Sequence, residues 1–340
     1  MVDATYIRFA ADDRSYFSIL KKEICQPALK AGFDTEKLNE LDLIISEMTS
    51  NLHKYAVNGE ILAGLFKEKD NFYVELISID HGPGMAYPQQ MIANGFSSEN
   101  SLGTGLGSIK RMSDKFDLYS IKGWGTIILS RVYKKPPVPR TGTAAKIDIR
   151  PLVITMPGQQ VSGDGTCYDI TDTHLKLLVA DGLGHGEEAN YAVKEAAKAF
   201  MASTYFSPAL IIKDIHQSIV KTRGIVGFVV IFDFLKQVWT MVGVGNITTR
   251  MSNFLEIKNQ MSYNGIIGHN IPNVINDQII SINDYHQITL CSDGMKPRWE
   301  PSKYPGINRC DLTIQAAAIY KDFARHTDDM SVVIAKISQL

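Results

Sequence analysis

The sequence is poor in cysteine and has almost no net charge. Its four cysteines are far apart among 340 residues and form no CxxC pair, which argues against a disulfide framework and against a zinc site. Lys and Arg number 35 against 36 for Asp and Glu, a formal net charge of -1. This balance gives no electrostatic reason to expect nucleic acid or an anionic membrane as a partner.

Long apolar segments are also missing. No apolar run approaches the roughly 20 residues that a membrane-spanning helix needs. The segment Met1–Arg14 lacks the apolar core of a signal peptide. We therefore expect a cytoplasmic protein with reduced cysteines.

A break in composition at Lys134–Ala145, KKPPVPRTGTAA, divides the chain. Prolines fix φ and remove a hydrogen-bond donor, so this segment is expected to be an extended linker. A chain of this length allows two domains of about 150 residues each. We predict one domain at residues 1–133 and a second at residues 146–340, joined by a linker at residues 134–145.

The two halves differ in the order of their predicted elements. Before the linker, the pattern predicts three helices at about residues 12–30, 35–55 and 106–115, and strands at 5–9, 61–66, 72–79, 116–121 and 126–132. This order is typical of an α+β sandwich with helices on one face of a sheet. After the linker, many strands surround helices near residues 187–203, 208–222 and 312–324, which predicts a layered β-sandwich flanked by helices.

Acidic residues stand beside a turn or strand end at four places in the second half. They are Asp164 in SGDG, Asp181 in VADGLGHG, Asp293 in CSDGM and Asp328–Asp329 in HTDDMSVVI. A single Asp-Gly pair is usually only a turn, but strand ends at one sheet edge can bring all four sites together. Converging carboxylates repel each other unless a cation lies between them, and oxygen ligands favour Mg²⁺ or Mn²⁺. Two such ions suit the hydrolysis of a phosphate ester.

In this order the four segments resemble the metal-dependent PPM phosphatases, in the bacterial branch that contains SpoIIE and RsbX. The resemblance covers about residues 146–340 and implies an α-β-β-α layered domain that dephosphorylates serine or threonine in proteins. It implies that Asp181 bridges two metal ions and that the Gly182 carbonyl binds one of them. Asp293 and Asp328 would complete the other site, Asp164 would contribute directly or through water, and Asp329 is the less favoured acid of its pair.

The chain departs from the family pattern in two places. Many relatives carry NAGH where this chain has GVGNI at Gly243–Ile247, which is closer to the RsbX type. No arginine stands directly before the first acid, so the residue that would recruit the phosphate stays open. Arg250 and Lys296 are candidates, although ordinary surface charge explains both. His185 could donate a proton to the leaving serine oxygen or could be an exposed loop histidine.

Three motifs in the first half lie in a recognisable order. Glu47, Asn51 and Lys54 share one face of the second predicted helix. DHGPGM begins at Asp80, and SLGTGLGSIKR at Ser101–Arg111 opens the third helix. Glycines permit close approach of the backbone, and a helix N-terminus attracts phosphate. The glycine pattern does not belong to a βαβ unit, which excludes the dinucleotide-binding interpretation.

Together these motifs resemble the GHKL ATPase fold, over about residues 5–133, and the RsbT and RsbW anti-sigma-type serine kinases in particular. The resemblance implies binding of Mg-ATP, with Asn51 on the magnesium ion, Glu47 orienting or deprotonating the attacking hydroxyl, and Asp80 accepting from the adenine amino group. Lys110 or Arg111 could lie near the γ-phosphate or simply on a solvated helix face. The glycines that would shape the phosphate lid are Gly82, Gly84, Gly103, Gly105 and Gly107.

The resulting hypothesis is a fused partner-switching regulator. One domain would phosphorylate a serine or threonine, the other would remove such a phosphate, and a STAS-domain antagonist would be the phosphoprotein in a stress or sigma-factor pathway. A sigma factor or switch protein is a further candidate partner. The alternatives are a phosphatase with a nucleotide sensor that does not transfer phosphate, a non-catalytic protein that sequesters a sigma factor or its antagonist, and a histidine-kinase catalytic domain. The last lacks a preceding helical hairpin with a phosphoacceptor histidine.

Overall fold

The structure is a computed structural model that describes residues 5–10, 15–68, 70–88, 91, 105–138, 147–253, 256–300 and 303–338. Its residues form two compact units. The N-terminal unit consists of Tyr6–Val138 and Pro301–Lys321, and the C-terminal unit consists mainly of Pro139–Glu300 and Asp322–Leu340. The division predicted at residues 134–145 stays a prediction. The structure differs from it in one respect, because Pro301–Lys321, here called the inserted segment, packs with the first half.

The N-terminal unit contains a five-stranded antiparallel sheet, and the three helices predicted for the first half lie on one face of it, as predicted. The strands pair in the order β1-β2-β3-β5-β4. Their bounds are β1 Thr5–Ala10, β2 Glu60–Glu68, β3 Asn71–Asp80, β4 Lys115–Ile121 and β5 Gly125–Tyr133. The helices are α1 Ser15–Lys30, α2 Thr35–Tyr55 and α3 Gly105–Met112.

Helix α2 shows how the sequence positions the candidate residues of this unit. Asp34 caps it, since its Oδ1 accepts a hydrogen bond of 2.8 Å from the Lys37 backbone N–H. The apolar stripe enters the core between α1 and the sheet, and its buried members are Leu41, Ile44, Ile45, Met48 and Leu52. Glu47 and Asn51 flank this stripe and are half-buried. Packing of the stripe therefore fixes the direction in which the two polar side chains project.

The inserted segment is held to the N-terminal unit by buried charges. It contains a short 3₁₀ turn at Ile307–Arg309 and helix α6, Leu312–Phe323. Asp311, just before α6, accepts hydrogen bonds of 2.9 Å from both terminal nitrogens of Arg131, and Arg131 also pairs with Glu75. Val132 lies in the core under the helices, so the neighbouring Arg131 points to the opposite face of the sheet. The segment is thus part of this unit's fold.

The C-terminal unit contains two antiparallel sheets. One has the order β13-β10-β9-β8-β7, and in the other β12, β11, β14, β15 and β6 pair in that order. The bounds are β6 Ile147–Ile154, β7 Asp164–Ile170, β8 His174–Gly182, β9 Ile225–Asp233, β10 Val238–Val244, β11 Thr248–Ser252, β12 Ile257–Gln260, β13 Gln278–Ser281, β14 Gln287–Cys291 and β15 Met330–Ile337. Helices α4 Glu187–Ala202 and α5 Pro208–Ser218 lie between β8 and β9 in the chain.

Two cores hold these layers together. One lies between the sheets and is rich in large side chains such as Phe228, Trp239 and Leu290. The other joins α4 and α5 to the first sheet through alanines of α4 and isoleucines of α5. The arrangement confirms the α+β class and the layered sandwich with helices. The remaining predicted helix of this half, α6, is the one that packs in the N-terminal unit. In the described ranges, no helix has both the length and the apolar character needed to cross a bilayer.

Candidate metal centre and nucleotide site

Two of the predicted metal ligands are direct neighbours on adjacent strands. Asp164 begins β7 and Asp181 lies near the end of β8, and the antiparallel register places them opposite each other. Asp164 is only 4% exposed. Like charges that face each other across a strand pair destabilise a sheet. The fold therefore brings together two carboxylates that repel each other when both are ionised.

The surrounding charges make this repulsion stronger. Burial, together with the charges of Asp329 and Asp293, raises the pKa of Asp164 to about 7. Burial and the charges of Asp164, Asp293 and Asp328 raise the pKa of Asp181 to about 10. Within the described part of the chain, neither carboxylate oxygen of Asp164 makes a hydrogen bond of ordinary geometry, although the Ser292 and Ser331 hydroxyls lie close enough to offset part of the rise in its pKa. Buried carboxylates that the chain compensates so incompletely are a donor set that suits a hard divalent cation.

Asp293 and Asp328 lie at the ends of β14 and β15 on the same side. Asp293 is exposed and its Oδ2 accepts a hydrogen bond of 2.9 Å from Asn246 Nδ2. Burial and the charges of Asp293 and Asp329 raise the pKa of Asp328, and the nearby His185 partly offsets this rise. Across the described residues, no three His, Cys, Asp or Glu side chains already form a group that could hold a metal ion. The acids are close enough to shift one another's pKa without forming a closed ligand set.

Asp329 has a different place from its neighbour Asp328. It is buried, its Oδ1 accepts from the Met156 N–H and its Oδ2 from the Gly163 N–H, both at 2.7 Å. These bonds tie the segment before β15 to Met156, which follows β6, and to Gly163, which precedes β7. Asp329 therefore fixes the loop that carries Asp164.

The loop after β8 carries Asp181, Gly182 and His185. Gly182 donates a 3.0 Å backbone hydrogen bond to Gly163, and a Cβ at Gly182 would lie 2.5 Å from the Ala189 carbonyl oxygen. Glycine is therefore required where this loop meets α4. His185 is exposed and close enough to Asp328 to lower its pKa. The histidine thus lies on the side of the acids, and both interpretations of its role stay open.

Arg250 is explained by packing. Its guanidinium donates to the backbone carbonyls of Trp299 and Pro297, and it stacks on the Trp299 ring at 4.5 Å. These contacts engage both terminal nitrogens, and the Nε atom is buried without a hydrogen-bond partner in the described residues, so the guanidinium is held in the protein surface rather than presented to a phosphate. Lys296 is exposed.

In the N-terminal unit, the start of α3 lies directly over the candidate base. A Cβ at Gly105 would be 2.7 Å from Glu47 Oε2 and 3.5 Å from Asn51 Oδ1. The structure therefore brings Glu47, Asn51 and the glycine-rich helix start together, and Gly107 lies in the same helix. Gly103 lies outside the described residues.

The basic candidates near α3 face outward. Lys54, Lys110 and Arg111 are exposed, and Arg111 donates a hydrogen bond of 2.9 Å to the Ser108 hydroxyl. In the described ranges, none of the three forms a hydrogen bond or an ion pair with Glu47 or Asn51. Solvated helix faces account for all three.

Asp80 ends β3 and begins a tight loop. Its Oδ1 accepts a 2.7 Å hydrogen bond from the Gly82 N–H, and burial raises its pKa. A Cβ at Gly82 would lie 2.6 Å from the Tyr55 carbonyl oxygen. At Gly84, φ is +64° and a Cβ would meet the Ile121 carbonyl oxygen at 2.0 Å. A side chain at Gly82 would therefore collide with the end of α2, and one at Gly84 with the β4–β5 hairpin.

Sequence reasoning missed two residues of the acidic site. Asn246, in GVGNI, was noted only as a departure from a motif, although an amide beside a strand end is a plausible partner for a neighbouring acid. Arg223, whose guanidinium lies beside Gly184 in the loop after β8, was not singled out. Nothing in its local sequence distinguishes it from a surface charge.

Comparisons with known proteins find relatives of two kinds, a protein kinase and protein phosphatases. No family model matches the chain. The serine/threonine-protein kinase RsbT of Bacillus subtilis (strain 168) is 34% identical over 101 residues, which are 30% of this chain and 76% of RsbT. A structure of RsbX in complex with magnesium matches with a TM-score of 0.50 and 18% identity, over 56% of this chain and 96% of RsbX. A chain from a study of the bacterial stressosome matches with a TM-score of 0.52 and 24% identity, over 56% of this chain and 100% of its own length.

The fold defines a protein in which an α+β sandwich with homology to RsbT is combined with a unit of the PPM phosphatase fold. The identities to the solved structures are low, so they establish the fold of that unit. The chain belongs to the RsbT family of serine/threonine-protein kinases through its N-terminal region.

Proposed function

We propose that the chain is a regulator with two opposed activities. The C-terminal unit would hydrolyse phosphoserine or phosphothreonine in a partner protein with two Mn²⁺ or Mg²⁺ ions. The N-terminal unit would bind Mg-ATP and transfer its γ-phosphate to such a residue. The observation that supports the phosphatase most is the facing pair Asp164 and Asp181, whose charges repel each other and the acids around them.

The donor set suits the implied ions. Asp181 would bridge them, the Gly182 carbonyl would bind one, and Asp293 and Asp328 would bind the other. Asp164, whose buried oxygens make no hydrogen bond of ordinary geometry among the described residues, would contribute directly or through water. When bound, such ions lower the pKa of a coordinated water and hold the phosphoryl oxygens.

Other residues of the chain would orient these ligands. Asn246 donates to Asp293, and partners of this kind fix the direction of a ligating side chain. Asp329 joins the Gly163 and Met156 segments, which keeps Asp164 in place. His185, exposed on the side of Asp328, would donate a proton to the leaving serine oxygen.

In the N-terminal unit, Asn51 would hold the magnesium ion of the nucleotide, Glu47 would act on the attacking hydroxyl, and Asp80 would accept from the adenine. The described glycines, Gly82, Gly84, Gly105 and Gly107, would allow the backbone to approach the phosphates, and Gly103 would belong to the same lid. Membership of the RsbT kinase family supports transfer of phosphate.

A nucleotide sensor that does not transfer phosphate is the second candidate. It is favoured by the contact of Gly105 with Glu47, because even one added carbon there would lie 2.7 Å from the carboxylate. In this arrangement the helix start occupies the space beside the candidate base.

The partner we propose is a STAS-domain antagonist in a stress or sigma-factor pathway, with a sigma factor or switch protein as a further partner. Support comes from the relatives alone, since RsbT is a serine/threonine-protein kinase and one structural match comes from a stressosome. A protein without activity that sequesters one of these partners is the remaining alternative.

A pair of variants tests the two activities separately. Hydrolysis of p-nitrophenyl phosphate and of a phosphoserine peptide is measured with Mn²⁺ and with chelator, and transfer of radiolabel from γ-labelled ATP is measured on a candidate STAS protein. We expect Asp181→Asn to lose hydrolysis and keep transfer, and Glu47→Ala to do the opposite. Absence of metal-dependent hydrolysis in the unmodified chain would favour the sequestering protein, and equal transfer by Glu47→Ala would refute the assignment of the base.

A further inference from the structure

Arg223 is fixed beside the loop that carries Asp181. It stands two residues before β9, and Ile225, the first residue of β9, pairs with Gly182 at the end of β8. Two residues beyond this pair, the Arg223 Nη1 atom lies 3.0 Å from the position that a Cβ on Gly184 would occupy. The guanidinium therefore covers the exposed glycine between the acids and His185.

The backbone at Arg223 is held firmly in this place. The Leu183 N–H donates a 3.2 Å hydrogen bond to the Gly224 carbonyl, and His269 Nε2 lies 2.8 Å from the Arg223 carbonyl oxygen. Gly224 has a φ of +78°, and a Cβ there would lie 2.8 Å from the Ile267 carbonyl oxygen. The turn is thus hydrogen-bonded both to the acidic loop and to His269. These bonds fix the backbone of Arg223 beside the loop.

The present partner of the guanidinium is a carboxylate. Arg223 pairs with Glu188 in the first turn of α4, and both side chains are well exposed, at 49% and 70%. An exposed pair of this kind contributes little to stability and exchanges readily. Glu188 is therefore an acceptor that a stronger anion can replace.

We propose that Arg223 recruits the phosphate of the phosphoprotein substrate, exchanging Glu188 for phosphoryl oxygens. This inference rests on the proposed phosphatase function and names a recruiting residue for a chain that has no arginine directly before its first acid. A guanidinium binds two phosphoryl oxygens at once through parallel N–H donors. Arg250 does not compete for this role, since both of its terminal nitrogens donate to backbone carbonyls and its Nε atom is buried.

The test compares Arg223→Ala and Arg223→Lys with the unmodified full-length chain in saturating Mn²⁺. We expect Arg223→Ala to raise the KM for a phosphoserine peptide and the inhibition constant of inorganic phosphate by about 10–100-fold, with kcat changed much less, because charge-assisted hydrogen bonds to the ground-state phosphate are lost. Arg223→Lys should recover only part of this loss, since lysine cannot bind in the same forked manner.

A readout without turnover accompanies the kinetics. Inorganic phosphate should raise the Tm of the Mn²⁺-loaded unmodified chain and should raise that of Arg223→Ala less at the same concentration. Equal Tm shifts, or an unchanged KM and inhibition constant in Arg223→Ala, would overturn the assignment.

Two further variants separate recruitment from a structural role. Lys198→Ala removes a matched ion pair with Glu195 on the same helix α4 and should leave KM unchanged. Glu188→Gln frees the arginine and should leave KM equal or lower, whereas a rise as large as that of Arg223→Ala would mean that the pair itself matters. If the unmodified chain shows no metal-dependent hydrolysis, it is the proposed phosphatase function that fails, which is a different result from activity that does not depend on Arg223.

Discussion

Each unit contains a buried cluster of charges, and the two clusters differ in whether the chain itself neutralises them. In the N-terminal unit, the fully buried Arg131 pairs with Glu75 and with Asp311, and it also donates to the Thr313 hydroxyl at 2.7 Å. In the C-terminal unit, Asp181 faces the charges of Asp164 and of three further aspartates. In the first cluster acidic side chains pair with an arginine, whereas in the second aspartates face other aspartates.

This difference separates structural charges from functional ones. A buried charge is tolerated when an opposite charge and hydrogen bonds compensate it. The Glu75–Arg131–Asp311 cluster meets this condition and holds the inserted segment on the sheet. The aspartate cluster meets it only by taking up protons, as the raised pKa values of Asp164 and Asp181 indicate, or by binding a cation from outside. The second is the property expected of a metal site.

The largest expected effect comes from the uncompensated cluster. Asp181→Asn should lower metal-dependent phosphatase turnover about a thousandfold or more, because a charged ligand shared by both ions is replaced by a neutral one. Steady-state hydrolysis of p-nitrophenyl phosphate over a range of Mn²⁺ concentrations measures this.

Asp169→Asn is the matched control for that variant. Asp169 lies on the same strand, β7, but is paired in register with Lys176 rather than with an acid. It should retain turnover close to that of the unmodified chain. Turnover by Asp181→Asn within about tenfold of the unmodified chain would remove the basis for the metal site.

Breaking the compensated cluster should cost stability. Arg131→Met would leave the buried Glu75 and Asp311 without the guanidinium that both contact. Removing one member of a buried ion pair costs about 3–5 kcal/mol. Urea denaturation of the full chain, followed by a probe in the N-terminal unit, measures the change. Lys115→Met is the control, because Lys115 also pairs with Asp311 but is 44% exposed, so its loss should cost about 1 kcal/mol or less. Equal costs for the two variants would contradict the distinction.

Removal of metal should expose the repulsion in the aspartate cluster as a dependence of stability on pH. In chelated protein, the folded-state pKa of Asp164, about 7, lies above its ordinary value of 3.8. The folded state therefore holds this proton more tightly, so the stability is present at acidic pH and is lost as the pH rises from about 4 through 7. Differential scanning calorimetry with chelator should show Tm falling over this range.

The same measurement on Asp164→Asn provides the contrast. The amide has no charge to repel Asp181, so the fall of Tm with pH should be smaller and the Tm near pH 8 higher, by about 2–4 °C for each kcal/mol relieved in a unit of this size. Added Mn²⁺ should raise the Tm of the unmodified chain by mass action and that of the variant less. An identical pH profile for both chains would mean that the two carboxylates do not interact.

The sequence predicted the local elements of both units well, because their apolar periodicity and caps decide them. Helix α2, with Asp34 as its cap, and the β4–β5 hairpin follow from such signals. The short strands β12 and β13 were not predicted, since each has four residues and little buried apolar surface. Their pairing is set by neighbouring strands, which a local pattern does not encode.

Long-range placement was harder to predict. The periodicity of α6 predicted a helix but not the surface that it covers, and its attachment depends on Arg131 and Asp311, which lie 180 residues apart. The acidic motifs indicated a shared site because each ends or begins a strand. The side chains that support them, Asn246 and Arg223, carry no motif and became visible only through their contacts.

A smaller effect is expected at the hydrogen bond between Asn246 and Asp293. Asn246→Ala should weaken Mn²⁺ activation about 10–100-fold, because residues that orient a metal ligand typically have effects of this size. The measurement is the Mn²⁺ concentration that gives half-maximal hydrolysis. Asn253→Ala is the control, since Asn253 donates to the Asp284 carbonyl rather than to an acid of the cluster. If both variants need the same Mn²⁺ concentration, Asn246 does not position Asp293.

The smallest effect lies in the N-terminal unit, where a glycine rather than a charge sets the geometry. Gly105→Ala should raise the Kd for Mg-ATP about tenfold, because its methyl group would lie 2.7 Å from Glu47 Oε2 and force the carboxylate to move. Isothermal titration with a non-hydrolysable ATP analogue measures this, and Ser108→Ala, in the same helix, should bind normally. Alanine favours a helix more than glycine does, so weaker binding cannot arise from loss of α3. Unchanged affinity would mean that the contact between α3 and Glu47 is not part of the nucleotide site.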